Sequence, residues 1–335
     1  MTPVDTIAIV GTCTPERARY AADLAREGGH ELFGAARLGA SPDPLDEAEA
    51  LAPWAGAAGA VIELPAAIPV TEVIGRLGRP ESPARLAGVI AVVDAPHLQA
   101  DIAREDYLVR RAADGDREFR ARALATVTQI EYATTVVLAG WDALATDDLS
   151  TTLALVSALS PRARIRLHPA PIGAREIPAP GAPVHERPGW IALLNDEHDP
   201  HMTDPRVRAA RFHNERPFHP ERLERVLDEQ VEPGAFGTLV RSAGFCRLAT
   251  RPGVTAHWEH VGSLLSLPPV GRDADLADDE ELLAAGQDIA LIGLDLDVAG
   301  LLRALAGACL TDAEFEAGPA AWRALADPFP AWAEA

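Results

Sequence analysis

The chain has 335 residues, 48% of them apolar, which is enough for two domains with full cores and no covalent staples. Its 30 basic and 50 acidic residues give a net charge of −20, which weighs against a general nucleic-acid-binding surface and against anionic membrane. Protein partners or cations remain compatible with that charge. No lysine occurs anywhere, so every basic side chain other than histidine is an arginine, and the 3 cysteines are too isolated for a disulfide framework or a Cys-based zinc site.

In chain order, residues 6–10 form a short apolar run ending at Gly11, and a helical stretch covers 15–26. Apolar runs bounded by turns recur at 60–64, 88–93, 134–138 and 164–167, with helices expected between them at 116–132 and 147–159. Strands alternating with helices predict an α/β domain of about 170 residues around a mostly parallel sheet. Residues 169–188 are rich in Pro and Gly and read as a semi-rigid linker. A strand over 206–213, a helix from Pro220, and a strand over 238–248 follow, with Gly234 and Gly237 ending the helix. His257 and His260 flank Trp258 in a further strand. An acidic run at 272–283 reads as solvated, 287–294 as a buried strand and 297–310 as an amphipathic helix. The tail from 311 carries Trp322, Phe329 and Trp332, either clamped onto their own domain or open as a partner-binding patch. The N-terminus has no basic segment before its apolar run and no stretch reaches membrane-spanning length, so a cytoplasmic protein is expected.

Two separated segments, RPFHPERL…LVRSAGFCRLATRP and GQDIALIGLDLDVAGLLRALAGACL, resemble the C-terminal domain of the CobW family of GTP-binding metallochaperones. The front half follows that family's order of landmarks more weakly. AVIELPAAIPVTEVIGRL resembles the Walker B strand, with Glu63 at the acidic position. LAGVIAVVDAPHL, ending in Asp94, resembles the next strand, and TQIEYATTVVLAGWDAL resembles the guanine-specificity segment. The resemblance implies a P-loop NTPase-like (Rossmann-type) domain followed by a smaller CobW C-terminal α+β domain. The expected division is 1–168, a linker at 169–205, 206–312, and a tail at 313–335.

A P-loop reads G-x-x-x-x-G-K-[ST]: backbone N–H groups cradle phosphate, Lys reaches the β/γ-phosphates, and the hydroxyl ligates Mg²⁺. On GTCTPERA that register places Gly11 at the first Gly, Glu16 at the second, Arg17 at Lys and Ala18 at Ser/Thr. Pro15 removes an N–H, Glu16 brings a carboxylate, and Ala18 cannot bind magnesium. The same residues suit a capped helix, with Thr14 as N-cap and Pro15 at the first position. On the Asn-Lys-x-Asp register only Asp142 survives, after Ala139, Gly140 and Trp141. Gly11, Arg17, Glu63 and Asp142 therefore outline a vestigial nucleotide site, and no catalytic residue is assigned.

Active family members carry a Cys-rich metal motif between P-loop and Walker B, whereas residues 32–59 here hold no Cys and no His. The remaining metal candidates are His198, His201 and His213, amid Asp196, Asp199 and Asp204. Together with RFHNERPFHPERL, the tail resembles the zinc-responsive branch of the family found in high-GC bacteria, which includes ribosome hibernation factor-recruiting proteins. The expectation is a non-catalytic pseudo-GTPase adaptor in zinc or ribosome homeostasis, holding a protein partner such as a ribosome-associated factor and binding no nucleic acid directly. Two alternatives stand beside it: a GTP-dependent zinc metallochaperone with weak turnover, and a His-based metal buffer. GTP and Zn are the cofactors at stake.

Overall fold

The computed structural model describes residues 3–111, 115–169, 188–275 and 286–332. Residues 170–187 of the expected linker and 276–283 of the acidic run lie outside the described residues. The chain divides into two compact units, Met1–Pro188 with Pro200–Thr203, and Gly189–Asp199 with Asp204–Ala335.

The first unit runs β1 (Val4–Val10), α1 (Thr14–Gly28), β2 (Glu31–Phe33), α2 (Ala35–Leu38), α3 (Pro44–Leu51), β3 (Ala60–Glu63), α4 (Val70–Leu77) and β4 (Ala84–Asp94). It continues with α5 (Leu98–Ile102), β5 (Tyr107–Arg111), β6 (Arg117–Ala121), α6 (Arg122–Glu131), β7 (Thr135–Ala139), α7 (Thr146–Leu159) and β8 (Arg164–His168). Six strands form one sheet in the order β2-β3-β1-β4-β7-β8, every pair parallel. Strands covered on both faces must be apolar throughout, and Ile7, Ile9, Val61, Ile90, Val92 and Val137 build the core against Tyr20 and Leu24 of α1. The sheet reverses its winding at β1, which lies between β3 and β4. In open α/β sheets the carboxyl ends of the strands at such a switch point form the ligand crevice. That places the turn after β1 where a nucleotide would sit in a P-loop fold.

One expectation fails in this unit. Residues 116–132 are not a single helix: Arg117–Ala121 is a strand, paired antiparallel with Tyr107–Arg111, and the helix starts at Arg122. Local propensity in this Ala/Arg-rich stretch favours helix, and the cross-strand partner overrides it.

The second unit contains α8 (Gly189–Leu194), β9 (Val207–Asn214), α9 (Pro220–Val226), β10 (Thr238–Cys246), β11 (Val254–Val261), β12 (Leu264–Ser266) and β13 (Pro269–Arg272). Then come β14 (Gln287–Leu294), α10 (Val298–Ala308), α11 (Asp312–Glu316) and α12 (Gly318–Trp322). Its sheet is antiparallel, ordered β12-β11-β10-β14-β9, with β13 also paired to β11. Helix α8 falls inside the stretch expected as linker, and its Trp190 packs on Ala243 and Ala290 of this sheet.

The residues that carry the family resemblance are structural here. Phe218 is fully buried between Phe212 and Trp258, with ring centroids 5.9 Å from each. Its N–H donates to the Arg247 carbonyl at 2.9 Å, and its own carbonyl accepts from Ala249 N–H at 2.9 Å. The Gln287 amide donates to the carbonyls of Arg216 and Arg247, both at 3.0 Å. Thus RPFHP, GFCRLA and the start of β14 are tied at one point.

The tail is clamped. Phe329 and Trp332 pack on the core of the second unit, and the Trp332 indole N–H donates to the Leu267 carbonyl at 2.6 Å. The Arg251 guanidinium lies 4.3 Å over the Trp332 ring and also pairs with Asp327. Trp322 stacks on Phe315.

Candidate functional site

The turn after β1 is short. Only Gly11, Thr12 and Cys13 separate Val10 from a helix that begins at Thr14. A P-loop in the register read from the sequence needs residues 11–16 as open loop. Here 14–16 are already helical, and Arg17 N–H is spent on the Cys13 carbonyl at 3.0 Å, a normal helical bond. The expected cap shifts by one: Cys13 is the N-cap residue, without a side-chain cap bond, and Pro15 falls in the first turn. Gly11 is required by close approach, since a Cβ there would lie 2.5 Å from the Val92 carbonyl oxygen.

Arg17, at the position of the P-loop lysine, turns inward. The residue is only 2% exposed; Nε donates to Glu63 Oε1 at 3.0 Å and Nη1 to the Gly11 carbonyl. Glu63, 6% exposed at the end of β3, accepts the Ala35 N–H on its other oxygen at 3.1 Å. One buried ion pair thus joins two positions that would share a nucleotide's Mg²⁺ and phosphates in a working site. Both charges are spent on each other. A guanidinium fixed in this way by two acceptors cannot swing toward a phosphate without leaving Glu63 buried and unpaired.

The rest of the crevice is filled. The Thr12 and Thr126 hydroxyls meet at 2.9 Å, and the Cys13 thiol donates to the Val92 carbonyl at 3.2 Å. The cavity among Thr12, Cys13, Asp94, Thr126 and Gln129 measures about 10 Å³, room for roughly one water. Asp94 is engaged by the His97 imidazole at 2.7 Å. Burial, with Glu16 and Asp94 nearby, pushes the Cys13 thiol up to about 12, so it stays protonated and unreactive.

Of the four residues outlined from the sequence, the structure joins Gly11, Arg17 and Glu63. Asp142 lies in the exposed turn after β7 and makes no hydrogen bond or ion pair among the described residues. Sequence reasoning missed Thr126 and Asp94's partner His97. Nothing local marks Thr126, because its partner Thr12 is 114 positions away.

The metal candidates make different contacts. His201 Nδ1 faces the Ser157 hydroxyl at 3.1 Å and the Pro161 carbonyl at 3.2 Å within the first unit. His198 belongs to the second unit, and His213 is exposed on β9 opposite Asp288. Of the nearby acids, Asp196 and Asp288 pair with Arg211, and Asp204 accepts Arg206 N–H at 2.9 Å. Among the described residues no three His, Cys, Asp or Glu side chains gather in a way that could hold a metal ion. No helix among them is long and apolar enough to cross a membrane.

Residues 207–309 match the family described as cobalamin synthesis protein cobW C-terminal domain. The chain is 25% identical over 236 residues to zinc-regulated GTPase metalloprotein activator 1 of Dictyostelium discoideum, covering 64% of this chain and 49% of that protein. It is 27% identical over 285 residues to zinc chaperone Rv0106 of Mycobacterium tuberculosis, covering 76% of this chain and 65% of that one. The chain therefore spans about half the length of the first relative and under two thirds of the second. Among solved structures, Zn(II)-bound YjiA GTPase from E. coli aligns over 92% of this chain and 100% of its own, at 14% identity and a TM-score of 0.35. The fold assignment rests on the strand order and on the matched C-terminal domain: residues 207–309 match a CobW C-terminal domain, which follows a parallel-sheet α/β unit.

Proposed function

We propose that this protein is a non-catalytic, CobW-like adaptor, a pseudo-GTPase acting in zinc or ribosome homeostasis by holding a protein partner. The observation that carries this reading is the Arg17–Glu63 pair at 3.0 Å, which neutralises inside the protein the charge that would meet a triphosphate. A helix starting at Thr14, and a cavity of only about 10 Å³ beside Thr12 and Cys13, support it. The zinc connection is supported by the names of the two relatives, and the ribosome connection by the sequence likeness to the hibernation-factor branch alone.

The relatives' names favour a second reading, a GTP-binding zinc metallochaperone. Phosphate release separates the two. The full chain incubated with GTP and Mg²⁺ should release phosphate no faster than buffer, and Arg17→Ala should change nothing. Turnover above background that Arg17→Ala abolishes would establish the metallochaperone reading instead.

A further inference from the structure

The hairpin β5–β6, which sequence reasoning did not foresee, presents an unusual outer face. Register places Tyr107 opposite Ala121, Val109 opposite Phe119, and Arg111 opposite Arg117. Side chains alternate along a strand, so these six share one face, and Leu108, Arg110, Glu118 and Arg120 share the other. The inner face is anchored: Arg110 makes a forked bond to Glu72 of α4 at 2.7 and 2.8 Å and also pairs with Glu118. At the hairpin's base Asp106 binds both Arg104 and Arg122, at 2.7 and 2.8 Å. The platform is therefore held in place by charge-assisted bonds at both ends.

Among the described residues the outer face has no such partners. Tyr107 is 54% exposed, Val109 52% and Phe119 63%, so three of the large apolar side chains that meet solvent among the described residues lie side by side. At its outer end Arg111 and Arg117 are directly opposed, both exposed and both without an ion pair among the described residues. Like charges directly opposed across a strand pair are destabilising, and an apolar patch rimmed by charge marks an interaction surface. Two local rules broken at the same spot point to function rather than stability.

We propose that this outer face docks a protein partner through an extended acidic segment whose carboxylates reach Arg111 and Arg117 while its aliphatic or aromatic side chains cover Val109, Phe119 and Tyr107. Charge complementarity selects this occupant. A second copy docking face to face about a two-fold axis parallel to the strands would set one Arg pair against another, an arrangement that costs affinity. The site lies apart from the crevice after β1 and does not depend on the nucleotide reading.

The test uses the full chain and two fluorescent octapeptides, Glu-Val-Glu-Leu-Glu-Phe-Glu-Val and its lysine-for-glutamate counterpart, followed by anisotropy. The acidic peptide should bind at least ten-fold more tightly than the basic one. Arg111→Glu/Arg117→Glu should reverse that order, and Phe119→Ser should weaken both peptides while leaving the thermal midpoint unchanged. Equal affinity of the acidic peptide for the wild type and the charge-reversed protein would overturn the proposal. A concentration-dependent dimer in sedimentation that Phe119→Ser dissolves would overturn it in favour of a second copy. Flotation with phosphatidylserine vesicles that the charge reversal abolishes would overturn it in favour of a membrane.

Discussion

Arg17 on α1 and Glu63 at the end of β3 form an ion pair at 3.0 Å, with side chains only 3% and 8% exposed. The pair ties α1 to the end of β3. Breaking a buried pair by removing one partner costs about 3–5 kcal/mol, whereas replacing both by apolar residues of similar volume is often neutral. Arg17→Ala and Glu63→Ala should each lower the urea-unfolding free energy of the first unit by about that amount. Arg17→Met/Glu63→Met should recover most of it. Independent, additive losses in the double variant would show that the two charges are not coupled.

Stability should depend on pH through His260. Burial, and next the Arg241 charge, push its imidazole down to about 4. A depressed folded-state value means that the unfolded chain binds the extra proton first. The stabilisation is therefore complete above about pH 6.5 and is lost as pH falls toward 4, on the order of 3 kcal/mol for a shift of this size. His219 and His257, also lowered by burial, act in the same direction. His260→Leu should flatten the fall in urea midpoint between pH 7 and 4.5. An unchanged slope would exclude His260 as the main titrating group.

The tail contributes to the second unit rather than waiting for a partner. Trp332 donates to the Leu267 carbonyl and lies beneath Arg251, which also holds Asp327 and the Phe329 carbonyl. Trp332→Ala should cost about 1–3 kcal/mol, from lost area, one hydrogen bond and one cation–π contact. Arg251→Lys should recover only part of Arg251→Ala, because an ammonium cannot make the fork to Asp327. Urea unfolding followed by tryptophan fluorescence reads both. A tail that can be truncated before Asp327 without a shift in midpoint would contradict the clamp.

The thiols should be silent in the native state. Cys13, Cys246 and Cys309 are each pushed up to about 12, with burial the largest cause in all three. Ellman's reagent at pH 8 should label none of them in native protein and all three in guanidinium. Rapid labelling of Cys13 in native protein would mean that the turn after β1 opens readily.

Much of this architecture is legible in the sequence because its signals are local. Apolar runs bounded by turns mark the parallel strands, and Pro220 and Asp297 mark helix starts within a residue of where the structure has them. The loss of the P-loop is legible as well, since Pro15, Glu16 and Ala18 each remove a group the chemistry requires. What replaces the P-loop is not legible. Arg17 and Glu63 are 46 positions apart, and only the parallel pairing of β1 with β3 brings them together. The hairpin is hidden for the same reason: residues 117–121 look helical until residues 107–111 are placed beside them.

Calorimetric titration of the full chain with GTP and Mg²⁺ addresses the central assignment most directly. With a helix starting at Thr14 and Arg17 engaged by Glu63, no saturable heat is expected up to millimolar nucleotide. A one-to-one isotherm at micromolar affinity, lost in Arg17→Ala, would mean that the turn after Val10 opens to hold a triphosphate and would contradict the pseudo-GTPase account.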